Sequence, residues 1–274
     1  MEKIWLKRYP EGMPETIDPE HYNSLLEVFE KSFTDYTDLP AFTNMGKTLS
    51  YSEIDTATKK VASYIQNDLG LKKGDKVAVM MPNLLQTPVT ILGILRAGCV
   101  VVNVNPLYTV RELEHQLKDS DTTAIFILAN FADTLEKSLA HTDVKHIVVT
   151  QVGDMVGGLK KLIVNFVVKH IKKMVPKFNL PNTINFSDVL AADETKYTRP
   201  EMSLSDLAFL QYTGGTTGVS KGAMLSHGNM VGNLEQVSGC LDKVLNRGTE
   251  VVVTALPLYH IFALTANCLT FMKY

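Results

Sequence analysis

Cysteine is scarce in this 274-residue chain. The three present, Cys99, Cys240 and Cys268, lie far apart in apolar surroundings. No Cys-x-x-Cys pair occurs, so neither a zinc site nor a disulfide framework is indicated, and a reducing cytoplasm is the simplest compartment. His21, His115, His141, His146, His170 and His227 also lack metal-ligand spacing. Net charge is nearly absent, at −2, which gives no global attraction to nucleic acid. The opening residues Met1 to Arg8 have no apolar core and therefore do not make a secretory leader. Two further absences are local. Residues 155–186 contain no Asp or Glu, and residues 251–272 contain no Asp, Glu, Lys or Arg. The second run is long enough to suggest a membrane span. Val251, Val252 and Val253 are β-branched, however, and Pro257 interrupts, so a strand, a turn and a buried helix are expected instead. Tyr274 falls inside this apolar segment without a cap, which leads us to expect an N-terminal piece of a longer protein.

The hydrophobic content of 45% is that of an ordinary globular protein, and the length suits one large domain or two small ones. Helical and strand patterns alternate through the first half. Leu25, Leu26, Phe29 and Phe33 mark one face of an opening helix. Residues 41–43 and 48–50 flank Met45-Gly46 as a hairpin. Ser50 with Glu53, and Thr109 with Glu112, have capping-box spacing. Val77–Met80, Val100–Val102, Ala124–Ile127 and Ile147–Val149 read as strands, and residues 84–96 as a helix ending at Gly98. Such alternation predicts an α/β fold with a parallel-rich sheet flanked by helices. Ligands in such sheets bind beyond the carboxyl ends of the strands.

The richest stretch chemically is Tyr212-Thr213-Gly214-Gly215-Thr216-Thr217-Gly218-Val219-Ser220-Lys221-Gly222-Ala223. Its glycines let backbone N–H groups converge on a ligand, its threonines add hydroxyl donors, and Lys221 adds positive charge. Successive backbone N–H groups of this kind form an anion nest suited to phosphate. The apolar run Leu207–Leu210 before it reads as a buried strand and residues 229–236 after it as a helix, which predicts a strand–loop–helix corner. No Walker A spacing is present: four residues after each glycine no Gly-Lys-Ser/Thr follows, and Lys221 precedes Gly222.

The loop resembles the phosphate-binding signature of the AMP-forming acyl-adenylating superfamily, with Ser220 where that signature usually has proline. Leu49-Ser50-Tyr51-Ser52-Glu53 resembles an early element of the same group. The run from Leu95 to Tyr108, ending Asn105-Pro106-Leu107-Tyr108 and followed by Arg111-Glu112-Leu113, resembles the acyl-CoA synthetase branch. Leu256-Pro257-Leu258-Tyr259-His260-Ile261-Phe262 resembles the element that places an aromatic and a histidine beside the acyl pocket. Within the superfamily the chain is most similar to bacterial long-chain fatty-acid–CoA ligases.

The resemblance implies the first part of a large N-terminal AMP-binding domain. Residues 1–150 would form a first α/β subdomain, 151–200 a basic amphipathic helix and linker, and 201–274 the phosphate loop and the start of the acyl-pocket subdomain. It implies ATP-dependent conversion of a fatty acid to an acyl-adenylate and then to acyl-CoA, with magnesium, in fatty acid uptake and degradation. The backbone of 213–218, the hydroxyls of Thr213, Thr216 and Thr217, and Lys221 would hold the β- and γ-phosphates. Val219, Ser220, Gly222 and Ala223 would complete the loop with Tyr212, and Thr213 would be the one protein ligand to magnesium. Tyr259 and His260 would orient the carboxylate and wall the acyl channel. The family's ribose-binding aspartate, hinge and catalytic lysine are expected beyond Tyr274, so this stretch alone is expected not to turn over. A ligase for a medium-chain or aryl acid, and a non-catalytic acyl-binding surface, remain open.

The acid-free segment 155–186 carries one further pattern. Leu159, Ile163, Phe166, Val167, Ile171 and Met174 share one helical face; Lys161, Asn165, Lys169 and Lys172 share the other, with Leu162 interrupting it and Lys160 and Lys173 at the boundary. This helix either lies on an anionic bilayer, giving peripheral contact with the inner face of the membrane, or packs on its own sheet with a solvated basic face. Expected partners are fatty acid, ATP and CoA, with a homodimer open.

Overall fold

The structure, a computed structural model, describes residues 2–213 and 220–274. The first long helix, α1 (Leu25–Asp35), is followed by β1 (Pro40–Asn44) and β2 (Lys47–Ser50), an antiparallel hairpin in which Asn44 faces Lys47. Met45 and Gly46 both have positive φ, 50° and 75°. Two such residues in succession match the right-handed twist of the flanking strands. Ser50 and Glu53 then close a capping box on α2 (Tyr51–Asn67), as their spacing predicts.

The main sheet begins with β3 (Lys76–Met80), followed by α3 (Gln86–Arg96), β4 (Val100–Asn103), α4 (Val110–Asp119), β5 (Thr122–Leu128), α5 (Ala132–Leu139) and β6 (His146–Thr150). Thr109 and Glu112 cap α4 reciprocally. After α6 (Gly158–Phe166) come β7 (Thr183–Asn185) and α7 (Phe186–Leu190), then β8 (Leu207–Thr213), β9 (Lys221–Ser226) and α8 (His227–Leu241). The seven strands lie in the order β7-β6-β5-β3-β4-β8-β9, all parallel except β9. The parallel-rich α/β fold thus follows from the alternating pattern. β7 is short and polar, and only its pairing with β6 makes it a strand.

Both faces of the sheet are covered, which is why its central strands read as continuous apolar runs. Val77, Val79, Val101 and Phe126 pack on the face shared with α1, α2, α3 and α8. Ala78, Met80, Val102 and Ile125 pack on the face shared with α4 and α5. Between α2 and α3, the buried Arg96 guanidinium donates to the Asp55 carboxylate at 2.5 Å and to the Asp55 carbonyl at 2.9 Å, and stacks over the Phe33 ring at 5.0 Å.

One local expectation is overturned, and one of the two readings of the basic helix is removed. Residues 251–253 form no strand: Val251 and Val253 are 92% and 83% exposed, with no neighbouring strand to pair with among the described residues. The buried helix after Pro257 is present, as α9 (Ile261–Ala263), a π-helical turn (Leu264–Leu269) and α10 (Thr270–Lys273). The basic helix also does not pack its apolar face on the sheet. Its protein-facing row is Lys161, Val164, Asn165 and Val168. Lys161 pairs with Asp154 at 3.4 Å, and Asn165 accepts the Gly153 N–H at 2.7 Å and donates to Asp154. Leu159, Leu162, Ile163, Phe166, Ile171 and Met174 are left exposed.

Candidate active site

Chain connections leave β4 towards β5 on one side of the sheet and leave β8 towards β9 on the other. A crevice at the carboxyl ends of two such strands is where ligands enter open α/β sheets. The glycine-rich motif stands at this point. It does not join a strand to a helix, as its sequence predicts; it closes the antiparallel β8–β9 hairpin, and α8 begins only after β9. Thr213 and Lys221 are Cα partners across the last rung, and both are exposed. Gly214, Gly215, Thr216, Thr217, Gly218 and Val219 lie outside the described residues. The neck that carries them is therefore a pair of exposed polar side chains at the end of a ladder.

Helix α4 holds this neck from one side. The Tyr212 hydroxyl donates to Asp119 at 2.5 Å, and its side chain is buried. Burial and the carboxylate together raise the phenol's pKa, so it stays protonated and works as an anchor. One turn earlier, His115 Nε2 lies 2.9 Å from the Ser220 carbonyl, which requires the ring to donate there. Ser220 thus has its carbonyl engaged where the family signature has proline. A Cβ at Gly222 would stand 3.0 Å from the Tyr212 ring, so this glycine permits the close approach of β9 to that ring. Ala223 faces Gln211 in the hairpin register.

The Tyr259–His260 segment is tied to the same strand. Gln211 Nε2 donates to the Tyr259 carbonyl at 2.9 Å. His260 caps α9, its Nδ1 accepting the Phe262 N–H at 3.3 Å. That contact makes Nδ1 the acceptor and leaves the neutral ring's proton on Nε2, a donor suited to an anion. From the other side, Asn83 donates to the Thr254 and Leu256 carbonyls at 3.0 and 2.8 Å and accepts the Leu258 N–H at 2.8 Å. Lys221 and the Tyr259–His260 pair, some forty residues apart in sequence, are thus both fastened within two residues of the end of β8.

Asn83, Gln116, Gln211, His115 and Asp119 escape the motif reading, and Asn103 lies in the Leu95–Tyr108 run with no role assigned to it. A signal for two of them exists. Asn103 and Gln211 each follow an apolar run, Val100–Val102 and Leu207–Leu210. A polar side chain at the end of a buried strand must find a partner.

A cavity of about 590 Å³ lies elsewhere, between β1, the start of α3 and residues 248–254, with Leu258 and Phe271 in its wall. Neither Lys221 nor His260 lines it, so it is separate from the β8–β9 neck. The thiols of Cys99 and Cys268 are pushed up to about 12 by burial, which makes them poor nucleophiles. Among the described residues no group of three His, Cys, Asp or Glu could hold a metal ion.

The profile of one protein family, described as AMP-binding enzyme, matches residues 29–273. The chain belongs to the AMP-binding enzyme family. A long-chain-fatty-acid–CoA ligase of Salmonella typhimurium is 56% identical over the whole chain, and one of Haemophilus influenzae is 50% identical. The chain spans 49% of the length of each of these curated relatives. Among solved structures, a long-chain-fatty-acid-CoA ligase from Archaeoglobus fulgidus superposes with a TM-score of 0.70 at 23% identity, over 97% of this chain and 48% of that one. That likeness shows the shared fold, built on a mostly parallel sheet.

Proposed function

We propose that the full-length protein carrying this AMP-binding chain is a long-chain fatty-acid–CoA ligase. It would activate the acid as an acyl-adenylate and then transfer the acyl group to coenzyme A. The observation that carries this reading is the common anchorage on β8 of a phosphate-type neck, Thr213 opposite Lys221, and of a Tyr-His pair, Tyr259 and His260. The names of the relatives at 50–56% identity support long-chain acids over medium-chain or aryl acids.

In the first step a carboxylate oxygen attacks the α-phosphorus of ATP and pyrophosphate departs. Two anions must approach, so fixed positive charge and aligned donors lower the barrier. The loop backbone from Thr213 to Gly218, with the hydroxyls of Thr213, Thr216 and Thr217, would cradle the β- and γ-phosphates, and Lys221 would neutralise the departing pyrophosphate. The exposure of both neck residues fits this role. The Thr213 hydroxyl would be the one protein ligand to magnesium, an ion that needs few protein ligands and would supply charge screening for the phosphates. His260, through its Nε2–H, would hold the carboxylate in line, and Tyr259 would wall the acyl channel. The CoA thiol then attacks the carbonyl carbon and AMP leaves. No enzyme nucleophile is needed. Carboxylate-dependent ATP–pyrophosphate exchange tests the reading, and Lys221→Ala is expected to lower its kcat/KM by about 100-fold. An unchanged rate would remove Lys221 from the site.

A second observation favours peripheral contact with the inner face of the cell membrane, from the cytoplasm. The exposed row from Leu159 to Met174 is flanked by lysines and free of acidic residues. Apolar insertion and about 1 kcal/mol per near-surface lysine would act together on an anionic bilayer. No helix among the described residues is long and apolar enough to cross a membrane. Flotation with phosphatidylserine vesicles is expected to fall for Leu162→Ser/Phe166→Ser and in high salt. Unchanged flotation would remove this face from membrane contact, and a dimer that the same substitutions dissociate would assign it to a second copy instead.

A further inference from the structure

A chain of three side-chain amide bonds runs beneath the β8–β9 neck. Gln116 Nε2, on α4, donates to the Asn103 backbone carbonyl at 2.8 Å. Asn103 Nδ2 donates to Oε1 of its register partner Gln211 at 3.1 Å, across the β4–β8 pair. Gln211 Nε2 then donates to the Tyr259 carbonyl, next to His260. All three amides are at least 95% buried. Apolar side chains at these positions would fill the space without unpaired polar atoms. Instead Asn103 Oδ1 and Gln116 Oε1 find no partner among the described residues, a cost that apolar side chains would not carry. What the amides add is a fixed register. Gln211 is two residues from Thr213 and bonded to the residue before His260, so it sets the distance between the parts assigned to phosphate and to carboxylate.

We infer that Gln211 is a positioning residue that holds the acyl segment in register with the nucleotide loop, with Asn103 and Gln116 as its backing. The inference rests on the adenylating reading but concerns a separate property. In the first half-reaction two free substrates must meet, and a misplacement of about 1 Å can cost about 100-fold. In the second, acyl group and nucleotide are already one molecule, so the ligand itself supplies the register.

The test is Gln211→Met in the full-length protein, which keeps volume and removes both amide bonds. Acid-dependent ATP–pyrophosphate exchange should lose about 10- to 100-fold in kcat with the KM for ATP within a few-fold. Acyl transfer from supplied acyl-adenylate to CoA should stay within a few-fold of the unsubstituted enzyme. Amide hydrogen exchange at residues 259–262 should accelerate. Gln116→Met, which strips only the far end, should show the same split at smaller size and keeps the test alive if the first variant fails to fold. Equal losses in both half-reactions would make the amides merely structural and overturn the coupling, as would no loss in either. Unchanged protection at 259–262 would overturn it whatever the reaction. Absence of any acid-dependent exchange by the unsubstituted protein, with protection still lost in the variant, would overturn the adenylating reading alone.

Discussion

His227 sits fully buried at the start of α8, its Nδ1 accepting the Leu25 N–H at 3.2 Å. Burial outweighs the nearby Asp206 carboxylate, Lys73 adds to the depression, and the pKa falls from 6.5 to about 4. The native fold therefore favours neutral imidazole, while the unfolded chain takes up a proton below about 6.5. This contribution is complete above pH 6.5 and disappears as pH falls to about 4, amounting to roughly 3 kcal/mol. Melting curves should show His227→Gln losing less stability than the parent between pH 6.5 and 4.5; equal losses would contradict the burial argument. In sequence, His227 reads only as a neighbour of the cap Ser226. Its link to α1 spans 202 positions, and no local pattern encodes that. The same limit hid Gln211 and Asn83, whose partners lie 48 and more than 170 residues away.

At the scale of elements, what was legible is what local chemistry decides. The Ser50–Glu53 and Thr109–Glu112 boxes and the Met45-Gly46 turn form as their spacing predicts. β9 was missed because Lys221–Ser226 lacks strand alternation and becomes a strand only against β8. Residues 251–253 show the converse, β-branched side chains without a pairing partner. The period of the helix over 158–171 was legible but its direction was not, because the Asp154 turn captures Lys161 and Asn165 and rotates the apolar row outwards. The contact of α2 with α3 offers a direct test of element packing. A Cβ at Gly93 would fall 2.5 Å from Val61 Cβ and Cγ1. Gly93→Ala should therefore destabilise the fold by about 1–3 kcal/mol in denaturant titration, despite alanine's higher helix propensity. A neutral or stabilised variant would show that the two helices can separate freely.

Across the whole molecule, the sheet brings together segments that the chain keeps apart. β4 arrives with Asn103, β8 with Gln211 and Thr213, β9 with Lys221, and the segment after residue 250 with Tyr259 and His260. The parallel architecture was legible because helical and strand patterns alternate along the first half of the chain. The arrangement of the site was legible only as a list of motifs, since their meeting point depends on strand order. If that meeting point serves adenylation, the full-length protein must reverse pyrophosphate release with an acid present. The decisive measurement is ATP–pyrophosphate exchange across carboxylic acids of increasing chain length. The account predicts acid-dependent exchange with the highest kcat/KM for long-chain fatty acids. Exchange that no carboxylic acid stimulates would contradict it.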